Sequence, residues 1–193
     1  IPTSVWVGKI FFKVDVREHG SKNAGATNAI RVFGWKAGLP VFLFDVFKGW
    51  APVAAAVYLD GGKAEWMILG LAHTCAPLCA VAALVGHSKS IFLGFQGGKS
   101  AATGLGTVTA LNPMVGAVLF ATWLLILGLT KIVSVASIGA VWMLPVYFWL
   151  FHDPAPHIAY GFTALVYVTW RHKANVKRLM EGTEPKLGKK AKE

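Results

Sequence analysis

Residues 114–151 read MVGAVLFATWLLILGLTKIVSVASIGAVWMLPVYFWLF, and Lys131 is the only charged side chain among them. A helix needs about 20 apolar residues to cross the hydrocarbon core of a bilayer, or fewer where it packs inside a bundle. The stretch therefore divides into two spans, Met114 to Thr130 and Ile132 to Phe151, meeting at the lysine. Similar runs recur outward from it, at Leu39 to Leu59, Trp66 to Val85, Thr103 to Leu111 and His157 to Trp170. The Thr103 run is short and ends at Asn112-Pro113, a turn signal between antiparallel helices, so it begins earlier or enters the membrane only in part. Ile1 to Phe12 is apolar but too short to span. It reads as the end of a helix whose start precedes the numbered chain, and it lacks the charged n-region and small-residue cleavage site of a secretory signal.

The composition agrees. Of 193 residues, 55% are hydrophobic and only 15% charged, a balance foreign to soluble domains. The expected fold is an all-α integral membrane protein, a polytopic bundle of about seven transmembrane helices. It forms a single membrane-embedded domain over residues 1–193, with a basic, flexible tail over 186–193. The formal net charge of +10 does not point to nucleic acid, because no basic amphipathic stretch interleaved with stacking aromatics lies outside the apolar runs.

The charges sort by side instead. One set of connections carries Lys13, Arg17, Lys22, Arg31, Lys36, Lys89, Lys99, Lys131 and the tail from Arg171 to Lys192, whereas the opposite set holds Lys63 with Asp60, Glu65 and Asp153. By the positive-inside rule the first set is cytoplasmic. Asp45 and Lys48, inside a span, stand i, i+3 and can neutralise each other, or line a polar site. Cys75 and Cys79, four apart in an apolar run, read as small buried hydrophobes and not as a redox or metal pair. No ligand cluster argues for a metal or any other cofactor.

Three polar groups remain that topology does not explain, all on the predicted cytoplasmic side. The first, His19 to Arg31 (HGSKNAGATNAIR), is dense in Gly, Ser, Asn and Thr. Its backbone can fold into an anion-binding nest with Arg31 as a phosphate fork, although a helix N-cap and loop would use similar residues. The second runs from Gly86-His87 to Thr103 and contains GFQGGKSAAT from Gly94. A nucleotide P-loop requires glycine five residues before the Gly of its Gly-Lys-Ser; Leu93 stands there, so this is not one. Its paired glycines still permit close backbone approach and Lys99 adds a point charge. The third, Arg171 to Glu184 (RHKANVKRLMEGTE), places His172, Asn175 and Arg178 at i, i+3 steps on one helical stripe. A positive-inside anchor accounts for Lys173 and Lys177 but not for that stripe.

These segments, GSKNAGATNAIR, GHSKSIFLGFQGGKSAAT and HKANVKRLMEGTE, closely resemble the signature motifs of the bacterial acyl-phosphate:glycerol-3-phosphate acyltransferases, the PlsY family. The resemblance covers essentially the whole chain. Family members often carry Lys-Gly-Gly-Lys-Gly in the second motif, where this chain has Gln96 and Ser100 at the flanking places.

The resemblance implies transfer of a fatty acyl group from acyl phosphate to the 1-hydroxyl of glycerol 3-phosphate, giving lysophosphatidic acid and phosphate. The enzyme would be a monomer in the bacterial cytoplasmic membrane, embedded in membrane lipid, with its active site on the cytoplasmic side. It implies catalytic roles for Lys99, His172 and Asn175. Substrate binding falls to Ser21, Asn23, Thr27, Arg31, His87, Gly97, Gly98, Ser137, Arg178 and Glu184, with Ser134 a lesser candidate. The Gly97-Gly98 backbone is expected to hold the acyl phosphate or the developing oxyanion. No covalent nucleophile is defensible, and none of the six histidines has Asp five residues later. Direct attack is expected, with His172 or a substrate phosphate taking the proton. The competing class is a polytopic carrier or binding protein for a phosphorylated lipid precursor, which would tend to keep its polar groups at mid-bilayer.

Overall fold

The computed structural model describes residues 1–60 and 73–187. The chain opens with α1 (Thr3–Val7), which continues as one π-helical turn over Gly8–Phe12. There follow α2 (Ala26–Phe33), α3 (Trp35–Asp60), α4 (Cys75–Ser88), α5 (Ala101–Leu111), α6 (Pro113–Thr130), α7 (Val133–Leu150), α8 (Ala155–Arg171) and α9 (Lys173–Met180). Among the described residues, four helical stretches are long and apolar enough to cross a membrane: Trp35–Leu59, Cys75–Leu93, Pro113–Thr130 and Val133–Leu150. The protein is a helical membrane bundle, as the apolar runs imply.

The expected spans differ from the helices mainly at their ends. Helix α3 starts at Trp35, before the expected Leu39, because the amphipathic residues ahead of the apolar run continue the helix. The first half of the expected Trp66 to Val85 run lies largely outside the described residues, as do Lys63 and Glu65. Helix α5 remains short, as its sequence indicates. It ends where Asn112 caps α6: its side-chain oxygen accepts from the N–H groups of Met114 and Val115 at 3.0 and 3.2 Å, with Pro113 in the first turn. Leu187 N–H donates to the Lys131 carbonyl at 2.7 Å, so the start of the expected flexible tail is tied down. Residues 188–193 of that tail lie outside the described residues.

Helix α5 sits against α3, α4 and α6, while α7 packs between α6 and α8, and α8 returns to α4. Close approach of α3 and α5 depends on Gly49 and Gly106: a Cβ on Gly106 would strike the Val46 carbonyl, and one on Gly49 the Thr103 carbonyl. Small residues at such crossings let membrane helices meet backbone to backbone. The shared core includes Leu84, Val108, Val115, Leu144, Phe148 and Tyr160. Outward faces are apolar and bare, with Leu129 77% and Trp149 65% exposed, the pattern of helices facing lipid.

Several polar groups within the bundle are satisfied locally. Lys48 Nζ reaches Asp45 Oδ1 at 2.5 Å, and Thr3 Oγ1 donates to the same oxygen at 3.1 Å, so the mid-helix charges pair as their i, i+3 spacing allows. Thr107 and Tyr160 share a hydroxyl bond of 2.5 Å between α5 and α8. Cys75 and Cys79 are free thiols.

Candidate active site

The three polar groups meet around one cavity of about 610 Å³. Its polar end is formed by Ser21, Asn23, Thr27, Arg31, His87, Lys99, Ser134, Ser137, His172, Asn175, Arg178 and Glu184. The apolar remainder runs between Phe42 of α3, Leu105 and Val108 of α5, Leu119, Phe120 and Trp123 of α6, Val141 and Leu144 of α7, and Val168 of α8. Trp35, Leu39 and Leu124 also line it and are exposed on the outside of the bundle, so the apolar end reaches the lipid-facing surface. A phosphate at one end and an alkyl chain at the other would both find their own medium.

The first segment is shaped by Asn28, which sequence reasoning passed over. Its side-chain oxygen accepts from Ser21 N–H at 2.8 Å, and its amide nitrogen donates to the carbonyls of Val16 and His19 at 2.8 and 3.0 Å. One buried amide thus folds the loop back on α2 and sets Ser21 and Asn23 at the cavity. Nearby, Asp15 is gripped by Arg17 through two bonds of 3.0 and 2.7 Å, and Lys9 stands 3.3 Å away. The Arg17 guanidinium is the main cause holding the Asp15 carboxyl far below the usual carboxylate range.

In the second segment Lys99 and His87 face the cavity, whereas Gly97 and Gly98 do not line it. This departs from the expectation that their backbone holds the acyl phosphate. The two glycines lie behind it: a Cβ on Gly97 would meet the His87 carbonyl, and one on Gly98 the His87 ring and the Ala24 carbonyl. Ser100, where family members often have glycine, adopts a left-handed φ of 63°, a conformation that costs about 1–2 kcal/mol with a side chain. Its hydroxyl offsets this by donating to the Leu84 carbonyl at 2.7 Å. His87 is held by Thr103 Oγ1, 3.0 Å from its Nδ1.

The third segment bends between α8 and α9, with His172 as the junction. The stripe survives the bend, and His172, Asn175 and Arg178 all line the cavity. Glu184 ties the stripe together, accepting from Asn175 Nδ2 at 2.6 Å, Ser134 Oγ at 2.7 Å and Arg178 Nε at 2.7 Å. Burial alone would raise its pKa, but these three bonds outweigh it and hold the carboxyl below its ordinary value. Asn175 Oδ1 is buried without a hydrogen-bond partner, an acceptor left for a ligand donor.

His172 Nδ1 lies 2.8 Å from the Val168 carbonyl, which makes Nδ1 the protonated nitrogen and Nε2 an acceptor. Burial, assisted by Lys99 and Arg171, pushes the imidazole down to about 4, so it is neutral near pH 7. Lys99 is lowered to about 8, first by burial and then by the positive charges of Arg178, Arg31 and Arg171. Burial and Arg178 lower Arg31 as well. Among the described residues, the ion pairs include neither Arg31 nor Lys99. Two unpaired, partly buried cations repel each other and Arg178, a cost that a bound dianion would remove.

The family model for glycerol-3-phosphate acyltransferase matches residues 1–182. A glycerol-3-phosphate acyltransferase of Thermosynechococcus vestitus is 40% identical over 97% of this chain and 89% of its own length. One of Fusobacterium nucleatum is 41% identical over 97% and 91%. The crystal structure of PlsY, an integral membrane glycerol 3-phosphate acyltransferase, in its glycerol 3-phosphate form superposes with a TM-score of 0.85 at 33% identity, covering 97% of this chain and 90% of that one. Its lysophosphatidic acid form gives a TM-score of 0.82 at 31% identity over the same shares. With the motifs, the cavity and these likenesses in agreement, the chain belongs to the PlsY family of glycerol-3-phosphate acyltransferases.

Proposed function

We propose that this enzyme transfers a fatty acyl group from acyl phosphate to the 1-hydroxyl of glycerol 3-phosphate in the bacterial cytoplasmic membrane. Its site would be open to the cytoplasm, and a single chain would suffice for the reaction. The observation that carries this reading is the joining, in one cavity, of Arg31 and Lys99, neither of them ion-paired among the described residues, to an apolar channel that reaches the lipid-facing surface. The glycerol 3-phosphate and lysophosphatidic acid forms of the similar PlsY support the acceptor and the product.

In this reading Arg31, Lys99 and Arg178 bind the phosphates of acceptor and donor, and Ser21, Asn23 and Thr27 close the site on the loop side. The acceptor hydroxyl attacks the acyl carbonyl carbon, the bond from that carbon to the phosphate oxygen breaks, and phosphate leaves. A pKa of about 4 makes His172 a weak base, so its Nε2 orients the hydroxyl by accepting its hydrogen bond. The proton passes to a substrate phosphate oxygen, which departs with it. Because an acyl phosphate is already activated, orientation and charge stabilisation supply the rate. Asn175 Oδ1, buried with no hydrogen-bond partner among the described residues, accepts from the acceptor's second hydroxyl.

The donor is tested with purified protein in lipid, given glycerol 3-phosphate and either a long-chain acyl phosphate or the matching acyl thioester. Lysophosphatidic acid formed from the acyl phosphate alone is the expected result. Product from the thioester alone would overturn the donor, and product from neither would overturn the acyltransferase reading.

A further inference from the structure

Arg171 stands at the end of α8, one residue before the His172 stripe, and belongs to none of the groups lining the cavity. By position it is another positive-inside anchor. Its contacts say otherwise. Nη2 donates to the Gly98 carbonyl at 3.0 Å, the Gly97 carbonyl at 3.2 Å and, more weakly, the Ser88 carbonyl at 3.5 Å. Its guanidinium also lies 5.7 Å from the Trp170 ring centroid, and its Nε is buried without a partner. All three contacts come from one nitrogen, so the guanidinium fastens these carbonyls at a single point.

What it holds is the backbone just ahead of Lys99. In a planar trans peptide the N–H points opposite to the C=O. Drawing the Gly97 and Gly98 carbonyls toward α8 therefore turns the N–H groups of Gly98 and Lys99 away from Arg171. From the other side, the glycines press on His87 and on the Ala24 carbonyl, where a Cβ would not fit. The loop is gripped between α8 and the first motif, and Lys99 emerges from that grip into the cavity.

We infer that Arg171 is a positioning residue for the acyl transfer, fixing the Gly97-Gly98 backbone so that Lys99 is presented to the substrate phosphates. The inference rests on the acyltransferase reading above. Arg171 contributes in a second way, as one of the charges around Lys99; the others are Arg178 on α9, Arg31 on α2 and the opposing Glu184, with neutral His172 adjoining.

The test compares wild type with Arg171→Lys, Arg171→Gln and Arg171→Ala in glycerol-3-phosphate-dependent acyl transfer. It records kcat/KM from pH 6 to 10 beside thermal unfolding of each protein. Wild-type activity tests the acyltransferase reading by itself, and the variants are scored only against it. The expected results are a loss of about tenfold or more in Arg171→Ala and Arg171→Gln, with partial recovery in Arg171→Lys. The alkaline limb set by Lys99 should move to higher pH in the two uncharged variants and stay in place in Arg171→Lys. A merely structural arginine would lower the unfolding temperature without moving that limb. Activity within twofold of wild type in Arg171→Ala, or a limb that stays put in every variant, overturns the inference.

Discussion

Asn175 Nδ2 donates to Glu184 Oε1 across 2.6 Å, while the same carboxylate takes Ser134 Oγ and Arg178 Nε, each at 2.7 Å. A single acidic side chain thereby assigns the orientation of Asn175: its amide nitrogen is spent on Glu184, and its oxygen has no partner among the described residues. Glu184 also stands in a cavity with four cations, Lys22, Arg31, Lys99 and Arg178, so its charge moderates their repulsion without neutralising the site.

Glu184→Gln keeps the shape but loses the charge and offers a donor where acceptors are needed. Hydrogen bonds to charged groups are each worth about 1.5–3 kcal/mol, and 1.4 kcal/mol corresponds to about tenfold in rate. A fall of at least about tenfold in kcat/KM is expected, with the KM for glycerol 3-phosphate raised. Steady-state kinetics at varied acceptor concentration would show it. Unchanged kinetics would mean that Asn175 is oriented by something else.

Lys99 sits in the folded protein at a disadvantage. Its pKa is lowered from 10.5 to about 8, so at pH 7 folding must keep a charge that burial and neighbouring arginines disfavour. The unfolded chain binds the proton more tightly between those two values, so stability rises with pH across that window. Lys99→Met should therefore unfold at a higher temperature than wild type near pH 7 while losing acyl transfer. A site residue whose removal stabilises the fold is the familiar trade of stability for activity. A lower unfolding temperature together with lost activity would argue that Lys99 serves packing.

His172 gives the opposite limb. Its folded value of about 4 lies below the ordinary 6.5, so the unfolded chain binds more protons between pH 4 and 6.5. Its contribution to stability is complete above about 6.5 and declines as pH falls toward 4. Thermal unfolding followed over pH 4 to 7 should be less steep in His172→Ala than in wild type. The same value keeps His172 neutral across the working range, so no rate limb between pH 6 and 7 should disappear in that variant.

Gly106→Ala tests the α3 and α5 crossing apart from the chemistry. A Cβ there would meet the Val46 carbonyl and the Trp50 nitrogen, both backbone atoms that cannot swing aside. Overpacking of this kind costs about 1–3 kcal/mol. The variant should unfold at a lower temperature, with the KM for glycerol 3-phosphate nearly unchanged in the fraction that remains folded.

The sequence carried the bundle and most of the polar residues that line the cavity, and it did so for a physical reason. Long apolar runs have one stable use, and groups such as Ser21, Lys99 and His172 stand out because nothing in a membrane helix needs them. Residues that act on backbone were not legible. Asn28 reads as one more polar residue in a polar loop, and Arg171 as one more cation at a helix end, because a carbonyl partner leaves no mark in the sequence. Nor does the sequence say what Gly97 and Gly98 approach: glycine signals close approach, and here the neighbours are His87 and Ala24. The docking of Leu187 on Lys131 was likewise hidden within a lysine-rich tail.

The most direct test of the account is phosphate release by the purified protein from a long-chain acyl phosphate, with and without glycerol 3-phosphate. The account predicts release that depends on glycerol 3-phosphate, matched mole for mole by lysophosphatidic acid, and lost in Lys99→Met. Release that proceeds equally without the acceptor, or none in its presence, would contradict it.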